Sequence, residues 1–159
     1  MVGVLIRAMT YATLFVSAVL VYLPAQTLSW TGVRGPERLG LPQVAGLIAT
    51  ACGAALAVWC ILKFAIIGRG TPAPFDPPRR LVVRGPYRFV RNPMYLGASL
   101  AIAGAALYYQ TAALLAYVGV FLLLMHMVVV SYEEPTLRQS FGEEYEAYCQ
   151  QVRRWWPRM

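Results

Sequence analysis

The chain has 159 residues, of which 58% are hydrophobic and 13% charged, with a mean hydropathy of +0.53 and a formal net charge of +7. Soluble domains carry roughly 25% charged residues, and several uncharged runs here exceed the roughly 18 residues that mark a membrane-helix candidate, so an ordinary soluble domain is excluded. The positive charge lies beside the apolar runs, which favours anionic headgroups over nucleic acid as its partner.

The expected architecture is an all-α integral membrane domain of about four transmembrane helices followed by a cytoplasmic amphipathic helix. The first span is expected over residues 8–28, after Arg7 and before the next charge at Arg34. A secretory signal is the alternative, but Leu23-Pro24-Ala25-Gln26 is a poor small-residue cleavage site. A polar turn with Gly32, Gly35-Pro36 and Gly40 leads to a second span over residues 43–62. Its Gly46, Ala49, Ala54, Ala55 and Ala57 suit close helix–helix approach in lipid. Cys52 and Cys60 lie in this run as small hydrophobes. With Cys149 they show no CxxC spacing, so neither a disulfide framework nor a metal site is indicated.

Residues 68–93 form a long Gly/Pro-rich and then basic loop, which includes GRGTPAPFDPP and RRLVVRGPYRFVRN. Arg79, Arg80, Arg84, Arg88 and Arg91 fall within it, and Gly85-Pro86 and Asn92-Pro93 punctuate it. A loop of this length raises the expectation of function. One reading of the arginines is a positive-inside flank, the other an anion-binding floor, and the two are compatible. From Asn92 to Tyr132 no Lys, Arg, Asp or Glu occurs. The run is too long for one helix, and Tyr108-Tyr109-Gln110-Thr111 interrupts it. The spacing therefore predicts a hairpin with spans over residues 94–109 and 112–132.

Four spans place both termini on one side. That side and the loop hold twelve of the 14 basic residues, and Arg34 and Arg38 alone face the other, which assigns the loop and termini to the cytoplasm. In the tail, Glu133-Glu134-Pro135 reads as a helix start. Leu137, Phe141, Tyr145, Tyr148 and Val152 recur at helical spacing, predicting a surface helix over residues 135–152. These tyrosines read as packing, Glu143, Glu144 and Glu146 as a solvated face, and Trp155-Trp156 as an interfacial anchor.

The usual soluble nucleotide motifs are absent. A basic, aromatic loop and an acidic pair remain, both meeting the last two spans. A zwitterionic, adenine-bearing cofactor needs both: donors for its carboxylate, Glu for hydroxyls or an ammonium, and aromatics around a ring. GPYRFVRNPMYLG followed by EEPTLRQSFGEEYEAYCQQVRRWWP resembles the isoprenylcysteine carboxyl methyltransferases and their membrane phospholipid methyltransferase relatives. The shared pattern is G-x-Y, R-H-P-x-Y-x-G, E-E-x-x-L, F-G-x-x-Y-x-x-Y and a closing V-x-x-x-x-P.

The resemblance implies a single multispan domain over residues 1–159 that uses S-adenosylmethionine at the cytoplasmic membrane face. Its methyl acceptor would be lipid-soluble and enter from the bilayer. By position, the cofactor pocket would include Arg79, Arg80, Leu81, Val82, Tyr87, Asn92, Pro93, Met94, Tyr95 and Glu133. Two positions depart from the pattern. Asn92 stands where the family has His and cannot carry charge. Val129 stands where the carboxyl methyltransferases place an Arg for the substrate carboxylate. His126 lies seven residues before Glu133 on one helix face, and an ionisable group inside a span is a functional candidate as well as a partner for interhelical hydrogen bonds. Glu134 and His126 are the candidates to take a proton from an ammonium acceptor. Two alternatives remain at this point: an NADPH-dependent membrane reductase similar to the sterol reductases, and a non-catalytic membrane protein whose basic loop binds anionic lipid.

Overall fold

The computed structural model describes residue 10, residues 13–68 and residues 79–158. The first residues of the expected first span, and most of the Gly/Pro-rich part of the loop, lie outside the described residues. Five helices follow in order: α1 (Thr13–Trp30), α2 (Leu41–Gly68), α3 (Pro93–Tyr109), α4 (Ala112–Phe141) and α5 (Glu143–Gln151). A 3₁₀ turn, Gly85–Arg88, sits before α3.

Helices α1, α2 and α4 are long and apolar enough to cross a membrane. Large apolar side chains such as Leu47, Ile48, Val58, Trp59, Leu115 and Leu123 face outward, as lipid contact requires. Helix α3 has 17 residues, short of the roughly 20 a perpendicular span needs. Pro93 fixes its start, and Gln110, at φ 51° in the left-handed region, ends it. Thr111 then caps α4, its hydroxyl accepting from the Ala113 N–H at 3.3 Å.

Helices α2 and α3 are antiparallel and touch through backbone. A methyl added at Gly53 would lie 2.4 Å from the Ala101 nitrogen and 2.5 Å from the Gly97 oxygen. One added at Gly104 would lie 2.5 Å from the Thr50 nitrogen, and one at Gly46 2.6 Å from the Gly104 oxygen. Two glycines spaced by seven on each helix thus face one another, and Thr50 Oγ1 donates across the seam to the Ala101 carbonyl at 3.1 Å. Gly46 and Ala57 lie on this seam, as expected, and Gly53 joins them. Ala54 and Ala55 are exposed, because the packed stripe repeats at 46, 50, 53 and 57 and they fall off it.

The structure corrects the expected helix start at Glu133-Glu134-Pro135. Helix α4 runs on through Pro135 to Phe141. Pro135 offers no N–H to the Ser131 carbonyl, and i→i+5 bonding over Val129–Glu133 absorbs the mismatch. Pro24 is preceded in the same way by a wide-turned stretch, Val16–Tyr22. The single tail helix expected over residues 135–152 is likewise two helices. Gly142, at φ +51°, breaks the chain between α4 and α5 and turns α5 back over the basic loop.

The glycine seam yields a stability prediction. Gly53→Ala should destabilise the protein by about 1–3 kcal/mol, the cost of overpacking a close interface. Gly119→Ala, where nothing lies within 4 Å of the added methyl, should cost nothing. SDS-induced unfolding from mild detergent measures both, and equal stability of the two variants would contradict the seam.

Candidate functional site

The pocket forms at one end of the bundle, where α2 ends, α3 begins and α4 leaves the apolar run. It is an open cleft lined by Phe64, Leu81, Val82, Tyr87, Arg91, Asn92, Val129, Glu133, Glu134, Leu137, Tyr145 and Tyr148. Two wide-turned stretches border it: Phe64 opens Phe64–Gly68 of α2, and Val129 and Glu133 bound the stretch in α4. Such turns re-aim side chains that a regular helix would carry elsewhere.

The loop wall is built on Pro86 and Pro93. The 3₁₀ turn buries Tyr87, whose ring meets Phe64 at 5.3 Å and whose carbonyl accepts from the Tyr148 hydroxyl at 2.6 Å. Val82 and Tyr87 pack on Cys60 of α2. Leu81 packs instead on Tyr145, Tyr148 and Val152. Burial, as the largest cause, raises both α5 phenols above the ordinary tyrosine range, so they are neutral walls.

The charged wall centres on Glu134. Its residue is 3% exposed, and its carboxylate accepts from Arg154 Nε at 2.6 Å and Arg154 Nη2 at 2.9 Å. Arg91 Nη1 lies 3.3 Å away and Arg138 Nη1 3.7 Å away. Arg138 also donates to the exposed Glu146 at 2.6 Å. The tail is tied down beside this cluster. Val90 and Arg153 form a parallel bridge, with the Arg91 N–H donating to the Arg153 carbonyl at 2.9 Å. Asn92 Nδ2 donates to the Arg154 carbonyl at 3.3 Å. Glu133, one residue earlier, accepts from the buried Tyr95 hydroxyl in a short hydrogen bond.

Of the residues singled out in the sequence, Leu81, Val82, Tyr87, Asn92, Glu133 and Glu134 line one pocket. Pro93 and Tyr95 lie behind it: Pro93 starts α3, and Tyr95 orients Glu133. Met94 packs against the core clusters on either side. Arg79 and Arg80 are exposed and do not line the pocket; their backbone N–H groups donate to the Gly68 carbonyl at 2.8 and 3.3 Å. His126 is also outside the lining. Its Nδ1 accepts from Trp155 Nε1 at 3.1 Å. An i→i+5 stretch lies between His126 and Glu133, and the two take different partners, Trp155 and Tyr95. Glu134 has three guanidiniums around its carboxylate, an arrangement that ties neighbouring segments together.

Sequence reasoning missed Phe64, Arg91, Leu137, Tyr145 and Tyr148 as pocket residues. Arg91 sits inside the opening basic cluster, but nothing in its spacing separates it from its four neighbours. The helical register of Leu137, Tyr145 and Tyr148 predicts their packing, though not that it is directed onto the loop.

The residues present fit a zwitterionic nucleoside cofactor. The cleft offers a guanidinium with a buried, unpartnered Arg91 Nε, a carboxylate at Glu133, an amide at Asn92 and several aromatic faces. Among the described residues no cluster could hold a metal ion.

At one end of a helical membrane domain lies a mainly apolar cleft that also holds a guanidinium, an amide and two carboxylates. The phospholipid methyltransferase family model matches residues 41–144, and the chain belongs to that family, whose members include the isoprenylcysteine methyltransferases. That family is one of membrane methyltransferases. No curated protein and no solved structure matches it.

The carboxylate cluster predicts a graded response. Arg154→Met removes two short hydrogen bonds from a buried carboxylate and should cost about 1.5–3 kcal/mol. Arg138→Met removes a longer, 47%-exposed contact to the same group together with its solvent-screened pair to Glu146, and should cost less than Arg154→Met. Denaturant unfolding of the two variants measures the difference, and equal costs would show that Glu134 is not held chiefly by Arg154.

Proposed function

We propose that the protein transfers a methyl group from S-adenosylmethionine to a lipid-embedded acceptor at the cytoplasmic face of the membrane. The observation that carries this reading is the convergence of Tyr87, Arg91, Asn92 and Glu133 on one cleft at the end of the bundle. When bound, S-adenosylmethionine supplies an electrophilic methyl on a sulfonium.

The chain's own contribution is placement. Glu133, oriented by Tyr95, accepts from hydroxyl or ammonium donors, and Asn92 adds an amide. Tyr87, Phe64 and Tyr148 give flat apolar faces for a ring. Val82, Val129 and Leu137 exclude water from the reacting end, which favours displacement over hydrolysis. Alignment of this kind contributes up to roughly 7–11 kcal/mol to lowering a barrier.

A lipid amine is the acceptor class we favour. Val129, 1% exposed, offers no charge for a carboxylate, and no Lys or Arg occurs from Asn92 to Tyr132. An ammonium must lose a proton before it attacks.

We assign four spans, α3 crossing as the shortest, with both termini and the cleft cytoplasmic. The twelve-to-two distribution of basic residues supports this orientation. Single cysteines introduced at Arg34 and Glu144 in a cysteine-depleted background test it. In intact cells a membrane-impermeant maleimide should label position 34 and reach position 144 only after permeabilisation; the reverse pattern would overturn the orientation.

Two measurements test the chemistry. Glu133→Gln should weaken S-adenosylmethionine binding by about 1.5–3 kcal/mol in calorimetry on the folded variant, the range for charge-assisted hydrogen bonds. An unchanged affinity would remove Glu133 from the binding site. Transfer of labelled methyl to a lipid amine should exceed transfer to a prenylcysteine analogue, and the opposite preference would overturn the acceptor assignment.

A further inference from the structure

Among the described residues Arg91 is the one guanidinium that lines the cleft, and its hydrogen-bonding capacity is divided unevenly. Its Nη1 lies 3.3 Å from Glu134 Oε1, 2.7 Å from Cys149 Sγ and 3.5 Å from the Tyr145 hydroxyl. These contacts all fall on one nitrogen and fix the side chain, which is 13% exposed. Its Nε is buried and has no partner. An N–H withdrawn from water without an acceptor is costly and uncommon in a folded protein. A planar guanidinium pinned at Nη1 presents its other edge, Nε with Nη2, as a two-pronged donor, the shape that pairs with a carboxylate.

The charge around Arg91 points the same way. Arg91, Arg138 and Arg154 surround Glu134, and Glu146 takes a second contact from Arg138. Three cations face two carboxylates, so one positive charge is left over beside the cleft. The cleft's other carboxylate, Glu133, is directed by Tyr95 from α4. The cleft is therefore bipolar, with the Arg91 guanidinium on the loop side and the Glu133 carboxylate on the helix side. An α-amino acid group carries the matching pair of charges.

Resting on the reading of the cleft as the methyl-donor site, we propose that Arg91 receives the α-carboxylate of S-adenosylmethionine through its Nε edge, and that Glu134 is the positioning residue that holds Arg91 in that pose. Glu133 then faces the ammonium of the same group. This gives the methionine end of the donor a fixed polarity in the cleft, carboxylate toward the loop and ammonium toward α4. The phosphate of a lipid acceptor is the other anion with chemistry suited to this edge.

The test is calorimetry on the full chain in detergent with S-adenosylmethionine and decarboxylated S-adenosylmethionine, which keeps the sulfonium, ribose and adenine. The unaltered protein should bind the first about 10- to 100-fold more tightly, as loss of a charge-assisted pair implies. Arg91→Gln should abolish that ratio by weakening only the carboxylate-bearing ligand. Arg91→Lys keeps a cation beside Glu134 but lacks the Nε edge, so it should retain the fold and lose most of the ratio. Glu134→Gln, which frees Arg91 to move, should reduce the ratio without abolishing it.

A ratio within about threefold in the unaltered protein would overturn the assignment and needs no variant to be folded. So would a ratio preserved in a folded Arg91→Gln or Arg91→Lys; if these variants instead lost affinity for a phospholipid acceptor, Arg91 would be the phosphate receptor. In all these cases binding of the donor itself would leave the methyl-donor reading intact. Failure of the folded, unaltered protein to bind either ligand would overturn that reading and the Arg91 assignment together.

Discussion

Glu134 is the point through which the functional end of this molecule is held together. A carboxylate with 4% of its side chain exposed is tolerated only when its charge is met, and here guanidiniums from three parts of the chain meet it. Arg91 comes from the loop before α3, Arg138 from one turn further along α4, and Arg154 from the tail after α5. One buried anion thus joins the loop and the tail to α4. The extended backbone at Val90 and Arg153 follows from the same attachment, as does the Asn92 hydrogen bond to the Arg154 carbonyl.

This arrangement changes the meaning of the tail. By composition, two tryptophans beside two arginines describe an interfacial anchor, and Trp156, 75% exposed, fits that description. Trp155 does not, because it turns inward, packs with Tyr95, Phe121 and Val129, and donates to His126. Adjacent residues of one type therefore serve different ends. The tail's backbone, pinned at Arg153 and Arg154, decides which side chain points where.

What the sequence discloses follows the range of the interactions involved. Apolar length and basic asymmetry are summed over many residues, so the membrane character is legible without a structure. The short motifs around Tyr87, Asn92 and Glu133 are dense enough to carry the family resemblance. Features set by a single residue's backbone are harder to read. Pro135 looks like a helix start because proline favours the first turn, yet a wide turn upstream lets α4 pass through it. Gly142 divides the tail because of a positive φ that the flanking helical periodicity conceals. Arg91 could not be told from Arg79 or Arg80 by charge or spacing. It differs from them in being drawn inward by a carboxylate more than forty residues away, an interaction of pure tertiary origin.

The glycine seam between α2 and α3 bears on how a lipid could approach the cleft. With backbone atoms of the two helices in contact along the seam, no acyl chain fits between them, and parting them would expose carbonyls to hydrocarbon. These two helices form a closed wall. The neighbours of that wall are different: α1 meets the bundle through a few side chains, with the Tyr117 hydroxyl donating to the Val19 carbonyl at 2.7 Å, and most of α1 and α4 faces outward. Under the proposed function a bilayer-borne acceptor would pass along these two helices, and α1, outside the residues 41–144 that the family model matches, would meet its tails.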